Sequence, residues 1–206
     1  MTRSRLQSGD IIGGIYEVIS LAGVGATSYV YRCRTWDEGG SNDVAVKVLH
    51  EHLRTEAGPR GRFLREARLM KGLSHPNIVR VHDVFELEYV IAYSMDLIEG
   101  PCLEQWAQEK NREGAQEQVL GLFMQVLSGI GCTHEAGIIH RDLKPSNIMV
   151  DTSSGVPVAK IIDFGIAREK EAGPDEEEFE KIRGTAGYIS PDEIRSPDEV
   201  CTSSDI

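Results

Sequence analysis

The stretch IIHRDLKPSNIMV, residues Ile138 to Val150, limits the possible fold more than any other part of the chain. Apolar residues flank a centre that holds a histidine, an arginine, an aspartate, a lysine and an asparagine. A surface loop has no use for such flanks, and a buried strand does not tolerate so polar a centre. The pattern predicts a reactive loop clamped between buried elements.

The surrounding periodicities say what those elements are. Residues 15–34 alternate apolar and polar on both sides of a Gly-rich centre, which predicts two strands joined by a loop. VAVKVL at 44–49 predicts a short strand with Lys47 as its only charge. Phe63, Leu64, Ala67 and Met70 recur at helical spacing within 59–73. HPNIVRVHDVFE and YVIAYSMDLIEG predict two further strands, the second running into a connector. From Gln116 to Glu135 the residues Val119, Leu122, Phe123, Val126, Leu127 and Ile130 predict a long amphipathic helix. Short strands IIH, NIMV and AKIID are expected to follow, then a charged loop over 169–183. A strand-rich first half and a helix-led second half predict an α+β chain of two lobes divided near Gly100–Pro101. Residues 1–14 form an extension, a first lobe covers about 15–99 and a second about 100–206.

Composition narrows the class. A length of 206 residues allows one or two domains. The net charge of -11 argues against a nucleic-acid or anionic-membrane binder, which needs a basic surface. Cys33, Cys102, Cys132 and Cys201 are far apart and fit reduced thiols in a cytoplasmic setting better than disulfides or a zinc site. The basic start MTRSRLQSGD has no apolar core and does not read as a secretory signal. No run approaches the roughly 18 apolar residues of a membrane span.

Three groups of residues carry chemistry. Gly23-Val24-Gly25-Ala26-Thr27-Ser28-Tyr29-Val30 lets the backbone approach a phosphate and aim N–H groups at it, although a plain hairpin turn explains the glycines equally well. Strand continues after the glycines and no Gly-Lys-Ser/Thr follows, which excludes Rossmann and Walker loops. Lys47 either snorkels to water or pairs with Glu66, which lies beside the apolar helix positions and needs a counter-ion there. Asp142, Asn147 and Asp163 are each readable singly as turn-formers or caps. Jointly they offer one carboxylate to accept a hydroxyl proton, with an amide and a second carboxylate for magnesium, as phosphoryl transfer requires.

Taken in order, Gly-x-Gly-x-x-Ser-x-Val, VAVK, Glu66, HRDLKPSN and DFG resemble the eukaryotic-type Ser/Thr protein kinase family, over residues from about 13 to 206. Ser28 in place of a third glycine and the pattern GTAGYISPDE are similar to bacterial members. The resemblance implies a two-lobed kinase fold with a strand-rich N-lobe and an incomplete helical C-lobe. It implies transfer of the ATP γ-phosphate to Ser or Thr of protein substrates in signalling, with Mg2+ or alternatively Mn2+. Residues 22–30 would cover the ATP phosphates with backbone amides at Gly23, Gly25 and Ser28, and Ala22 and Val30 would also bind the nucleotide. Lys47 would hold the α- and β-phosphates and pair with Glu66, while Ala45 and Met149 would line the nucleotide site. Met95 would guard the back of the adenine pocket, and Asp96 and Leu97 would supply hinge groups. Asp142 would accept the hydroxyl proton, Lys144 would steady the γ-phosphate, and Asn147 and Asp163 would bind the metal. Thr185 would contact Asp142, and His140 and Phe164 would join Met70 in an apolar stack.

The resemblance also has departures. Ser190-Pro191-Asp192 stands where the family usually has Ala-Pro-Glu, and residues 166–183 contain no Ser, Thr or Tyr to phosphorylate. That segment carries seven acids and four bases, which reads as a solvated loop or as a phosphate substitute paired with Arg141. The last residues resemble the start of the large C-lobe helix, so the expectation is a truncated domain. A non-catalytic nucleotide-binding scaffold and a small-molecule phosphotransferase are the alternatives. The intact set Lys47, Glu66, Asp142, Asn147 and Asp163 speaks against the first, and the loop from Gly184 to Pro191 against the second.

Overall fold

The computed structural model describes residues 5–37, 40–109, 115–164, 188, 190 and 201–205. The chain divides into two compact units. Unit 1 comprises the residues up to Gly72 together with Arg80–Leu97, and unit 2 comprises Leu73–Val79 together with the residues from Ile98 onward.

Unit 1 is built on a six-stranded antiparallel sheet of order β1-β2-β3-β4-β6-β5. Its strands are β1 (Ile11–Ile12), β2 (Tyr16–Val24), β3 (Ser28–Asp37), β4 (Gly40–Leu49), β5 (Val81–Leu87) and β6 (Val90–Asp96). β4 is central and every residue from Val44 to Leu49 is buried, which accounts for its unbroken valine-rich run. It extends past the VAVKVL motif to Gly40 because β3 pairs with it along ten consecutive residues. Tyr16, Val18, Tyr31, Cys33, Val44, Val46 and Ala92 form the core on this sheet. Burial pushes the Cys33 thiol up to about 12, so it stays protonated at neutral pH. None of the four cysteines forms a disulfide.

Helix α1 (Ala57–Lys71) packs beside β5 and buries Phe63, Leu64, Glu66, Ala67 and Met70. Pro59 falls in its first turn, where a missing N–H does no harm. Arg60 and Arg68 of α1 both reach Glu86 of β5, and the Phe63 ring packs tilted against Tyr93 of β6 with centroids 5.2 Å apart.

The expected strand over HPNIVRVHDVFE is observed only from Val81. Residues 73–79 are instead bound into unit 2. Val79 N donates to Ile161 O and Ile161 N to Asn77 O, each at 2.9 Å. Asn77 Nδ2 donates to Gln125 Oε1 at 3.1 Å and to Ala159 O at 3.0 Å. The amides that would have formed a ladder in unit 1 have these partners in its place.

Unit 2 contains α2 (Leu103–Glu109), α3 (Ala115–Glu135) and the hairpin of β7 (Ile148–Asp151) and β8 (Val158–Ile161). α3 buries Leu122, Val126 and Ile130, as the periodicity predicts, but Val119 and Phe123 of the same predicted stripe are exposed. Gly129 lets α3 approach β8. A Cβ there would stand 2.9 Å from Ile161 Cδ1 and 3.3 Å from Asn77 O. Gly100 meets the same need more severely, because an added Cβ would fall on the Val150 carbonyl.

The strand predicted at IIH does not form. Ile138 N donates to Thr133 O at the end of α3, and His140 N donates to the Asp205 side chain, so no ladder partner is needed. The charged loop over 169–183, Thr185 and Asp192 lie outside the described residues. No described helix is long and apolar enough to cross a membrane.

Candidate active site

In unit 1 the strand register gathers residues that are scattered in sequence. Gly23 of β2 opposes Val30 of β3, Val30 opposes Lys47 of β4, and Lys47 opposes Tyr93 of β6. Ala45 opposes Met95 two positions along, so it shares a face with Lys47. Ala22 lies on β2 beside Gly23, and Ser28 opens β3. Gly25 N donates to Ser28 O at 2.8 Å, so the Gly-rich turn is closed by its own backbone. Asp96 ends β6, with its N–H on Arg80 O at 3.0 Å and its carboxylate 2.9 Å from His82 Nε2. Leu97 follows, half-buried.

Lys47 pairs with Glu66. Its Nζ lies 3.1 Å from Glu66 Oε1, and the two side chains are only 10% and 8% exposed. The Tyr93 hydroxyl donates to the same oxygen at 3.0 Å, and its ring lies 5.6 Å from the ammonium. Two buried opposite charges with a further donor meet the condition under which such a pair is tolerated. The alternative of a lysine snorkelling to water is thereby excluded.

In unit 2 two donors converge on one carboxylate oxygen. Lys144 Nζ and Asn147 Nδ2 reach Asp142 Oδ2 at 2.9 and 3.0 Å. Asn147 Nδ2 also donates to the Asp142 carbonyl at 2.9 Å, which closes the loop on itself. Pro145–Asn147 is a 3-10 turn, and Asn147 O accepts from Ile162 N at 3.0 Å. That backbone bond sets Asp163 one residue from the partner of Asn147. Asn147 Oδ1 takes no hydrogen bond from the described residues, and an amide oxygen with a carboxylate suits a hard cation such as Mg2+. Met149 is on β7, bridged to Cys102. The His140 and Phe164 rings stack at 4.7 Å, both fully buried, while Met70 is buried in unit 1.

Asp205 was not singled out from the sequence, yet it organises this loop. Its side chain is completely buried. Oδ2 accepts from His140 N and from His134 Nε2, and Oδ1 from Arg141 N, all at 2.8 Å. Arg141 is the one described non-glycine residue with a positive φ, 63°. A conformation that costs about 1 kcal/mol or more needs such an anchor. Asp142 N then donates to His140 Nδ1 at 3.3 Å. The only hint in the sequence is that this acid falls in the segment that resembles the start of the large C-lobe helix.

A cavity of about 420 Å3 in unit 1, lined by Tyr29, Tyr31, Val48 and Arg54 among others, takes in Tyr29 of the Gly-rich segment but none of the individual residues expected to bind the nucleotide. The chemistry-bearing set is identified by its register and hydrogen bonds, not by that hollow.

Comparison with known proteins identifies the family. Residues 16–206 match the protein kinase domain family. The chain is 34% identical to the serine/threonine-protein kinase PkaA of Streptomyces coelicolor, over 88% of this chain and 35% of that protein. It is 34% identical to the serine/threonine-protein kinase pkn2 of Myxococcus xanthus, over 95% of this chain and 23% of that protein. Among solved structures, a single-site mutant of the PknI kinase domain of Mycobacterium tuberculosis superimposes with a TM-score of 0.70 at 25% identity, covering 98% of this chain and 73% of the other. The chain thus spans about a third or less of the curated relatives cited, and about three quarters of the solved domain. With a match that covers nearly its whole length, the chain belongs to the protein kinase domain family.

Proposed function

We propose that this chain carries the catalytic residues of an ATP-dependent protein serine/threonine kinase that works on protein substrates in the cytoplasm. The observation that supports this best is the Asp142 carboxylate held by Lys144 and Asn147 on a loop anchored by Asp205. Asp142 takes the proton of a Ser or Thr hydroxyl as its oxygen bonds to the γ-phosphorus, and the bond to the β-phosphate oxygen breaks to release ADP. Lys144 stabilises negative charge on the transferring phosphoryl group. Lys47, held by Glu66, binds the α- and β-phosphates, and the Gly-rich turn covers them. Ala22, Val30, Ala45 and Met95 of unit 1 bind the nucleotide, with hinge groups from Asp96 and Leu97, and Met149 is the nucleotide-binding residue on β7. Asn147 and Asp163 hold a magnesium or manganese ion, which neutralises phosphate charge when bound.

The test is transfer of the γ-phosphate to a generic basic protein with Mg2+, for the chain and for Asp142→Asn. Transfer that disappears in the variant supports the reading. Equal transfer by both overturns it, and nucleotide binding without transfer by the unsubstituted chain identifies a non-catalytic relative.

A further inference from the structure

His50 follows β4 directly, three residues beyond Lys47. It is buried, and every polar bond it makes is local to the Gly-rich turn or to its own chain continuation. Its backbone N donates to Thr27 O at 2.9 Å, and its carbonyl accepts from Leu53 N at 3.1 Å. His50 sits at the N-cap of the 3-10 turn Glu51–Leu53 but does not cap it with its side chain. The ring instead reaches sideways, placing Nε2 3.0 Å from the carbonyl of Gly25. Because a carbonyl can only accept, Nε2 carries the hydrogen. Nδ1 is buried with no hydrogen-bond partner, so the whole polar capacity of the ring is directed at Gly25. Tyr29 packs edge-on at 4.3 Å and His52 stacks at 5.7 Å, which fixes the ring plane.

We infer that His50 is a positioning residue that latches the tip of the Gly-rich turn to the strand carrying Lys47. Two hydrogen bonds from one residue hold Thr27 and Gly25, on either side of Ala26. The glycines give the turn freedom to approach a phosphate, and the same freedom has to be limited for its N–H groups to be in place beforehand. A ring needed only for packing would work equally well as phenylalanine, and would not leave a buried Nδ1 without a partner.

The kinetic part of this inference rests on the nucleotide reading of the turn proposed above, and the experiment separates the two. His50→Phe keeps the ring and removes the donor, while His50→Gln returns an N–H donor near the Nε2 position. In the phosphotransfer assay, His50→Phe raises KM for ATP about five- to tenfold, the range expected for one neutral hydrogen bond. Its kcat changes less than about twofold, and His50→Gln restores KM to within about twofold. Hydrogen exchange of residues 25–28 without nucleotide is the second measurement. It accelerates in His50→Phe and stays at the unsubstituted rate in His50→Gln. Unchanged exchange in His50→Phe, or equal behaviour of Phe and Gln in either measurement, overturns the latch. If the unsubstituted chain binds no ATP but exchange follows the expected pattern, the latch stands and the nucleotide reading fails.

Discussion

Unit 1 and unit 2 each keep ionised side chains largely out of water, by different means. Lys47 and Glu66 project from a strand and a helix whose backbones are already satisfied, so partners for the side chains, among them each other and the Tyr93 hydroxyl, are what the site has to supply. Asp142 and Lys144 project from irregular chain, where the backbone itself must first be held. There the buried Asp205 carboxylate takes two main-chain N–H groups, and Ile162 N secures Asn147 O. The difference teaches that charge on regular elements needs a partner, whereas charge on a loop needs a scaffold as well. Unit 1 should be sensitive to losing a counter-charge, and unit 2 to losing an acceptor of backbone hydrogen bonds.

The largest effect is expected at Asp142. Asp142→Asn should lower the phosphotransfer rate about 10²- to 10⁴-fold, the usual contribution of a positioned base, while circular dichroism stays unchanged. A folding defect of similar size would mean that the carboxylate is structural, and the contrast between units would lose its functional half. Glu66→Ala removes the carboxylate 3.1 Å from the buried Lys47 ammonium and should destabilise unit 1 by about 3–5 kcal/mol in urea unfolding. Asp205→Asn replaces one accepting oxygen by a donor facing N–H groups. A loss of about 2 kcal/mol is expected, with lower kcat, because charge-assisted hydrogen bonds are worth about that much. If Asp205→Asn affects neither, the loop has another scaffold.

Tyr93→Phe removes a supporting donor but leaves the Lys47–Glu66 pair, and should destabilise by about 1 kcal/mol. The smallest effect is a surface control. Asp43 bonds Arg32 at 2.6 Å and Arg34 at 3.2 Å near the rim of the sheet. The Arg32 hydrogen bond, against a smaller opposing effect of desolvation, holds the Asp43 carboxyl below its ordinary value. The folded chain therefore loses this proton more readily than the unfolded one. The pair stabilises above about pH 4, and the contribution disappears as pH falls through the depressed value. Asp43→Asn should cost under about 1 kcal/mol at neutral pH and flatten only the acid limb of the stability curve.

Legibility in the sequence followed the same division. Glu66 is readable as the partner of Lys47 because an acid beside Phe63, Ala67 and Met70 has to be neutralised somewhere. The hairpin over 15–34 and the helix ending at Glu135 are readable because their periodicity is local. Asp205 is not, since its partners lie 64, 65 and 71 residues away and nothing in TSSD marks it. IIH reads as strand by its apolar character, but backbone partners decide strands, and those of His140 and Ile138 are elsewhere. α2 escapes a periodicity reading because Trp106 is its one buried residue. His50 reads as the end of a strand, and only the register of β3 on β4 brings it to the glycine turn.

Residues 73–79 also have a consequence for synthesis. They belong to unit 2, yet chain on both sides belongs to unit 1, so unit 1 cannot be cut out as one continuous piece. Asn77 finds its acceptor on Ala159 only 82 residues later in the chain. At ribosomal speeds of roughly 5–20 residues per second, the segment waits about 4–16 s for that partner to be made. Through that interval His-Pro-Asn-Ile-Val hangs between two parts of a sheet that can already pair, an unfilled berth that nascent-chain proteolysis should find.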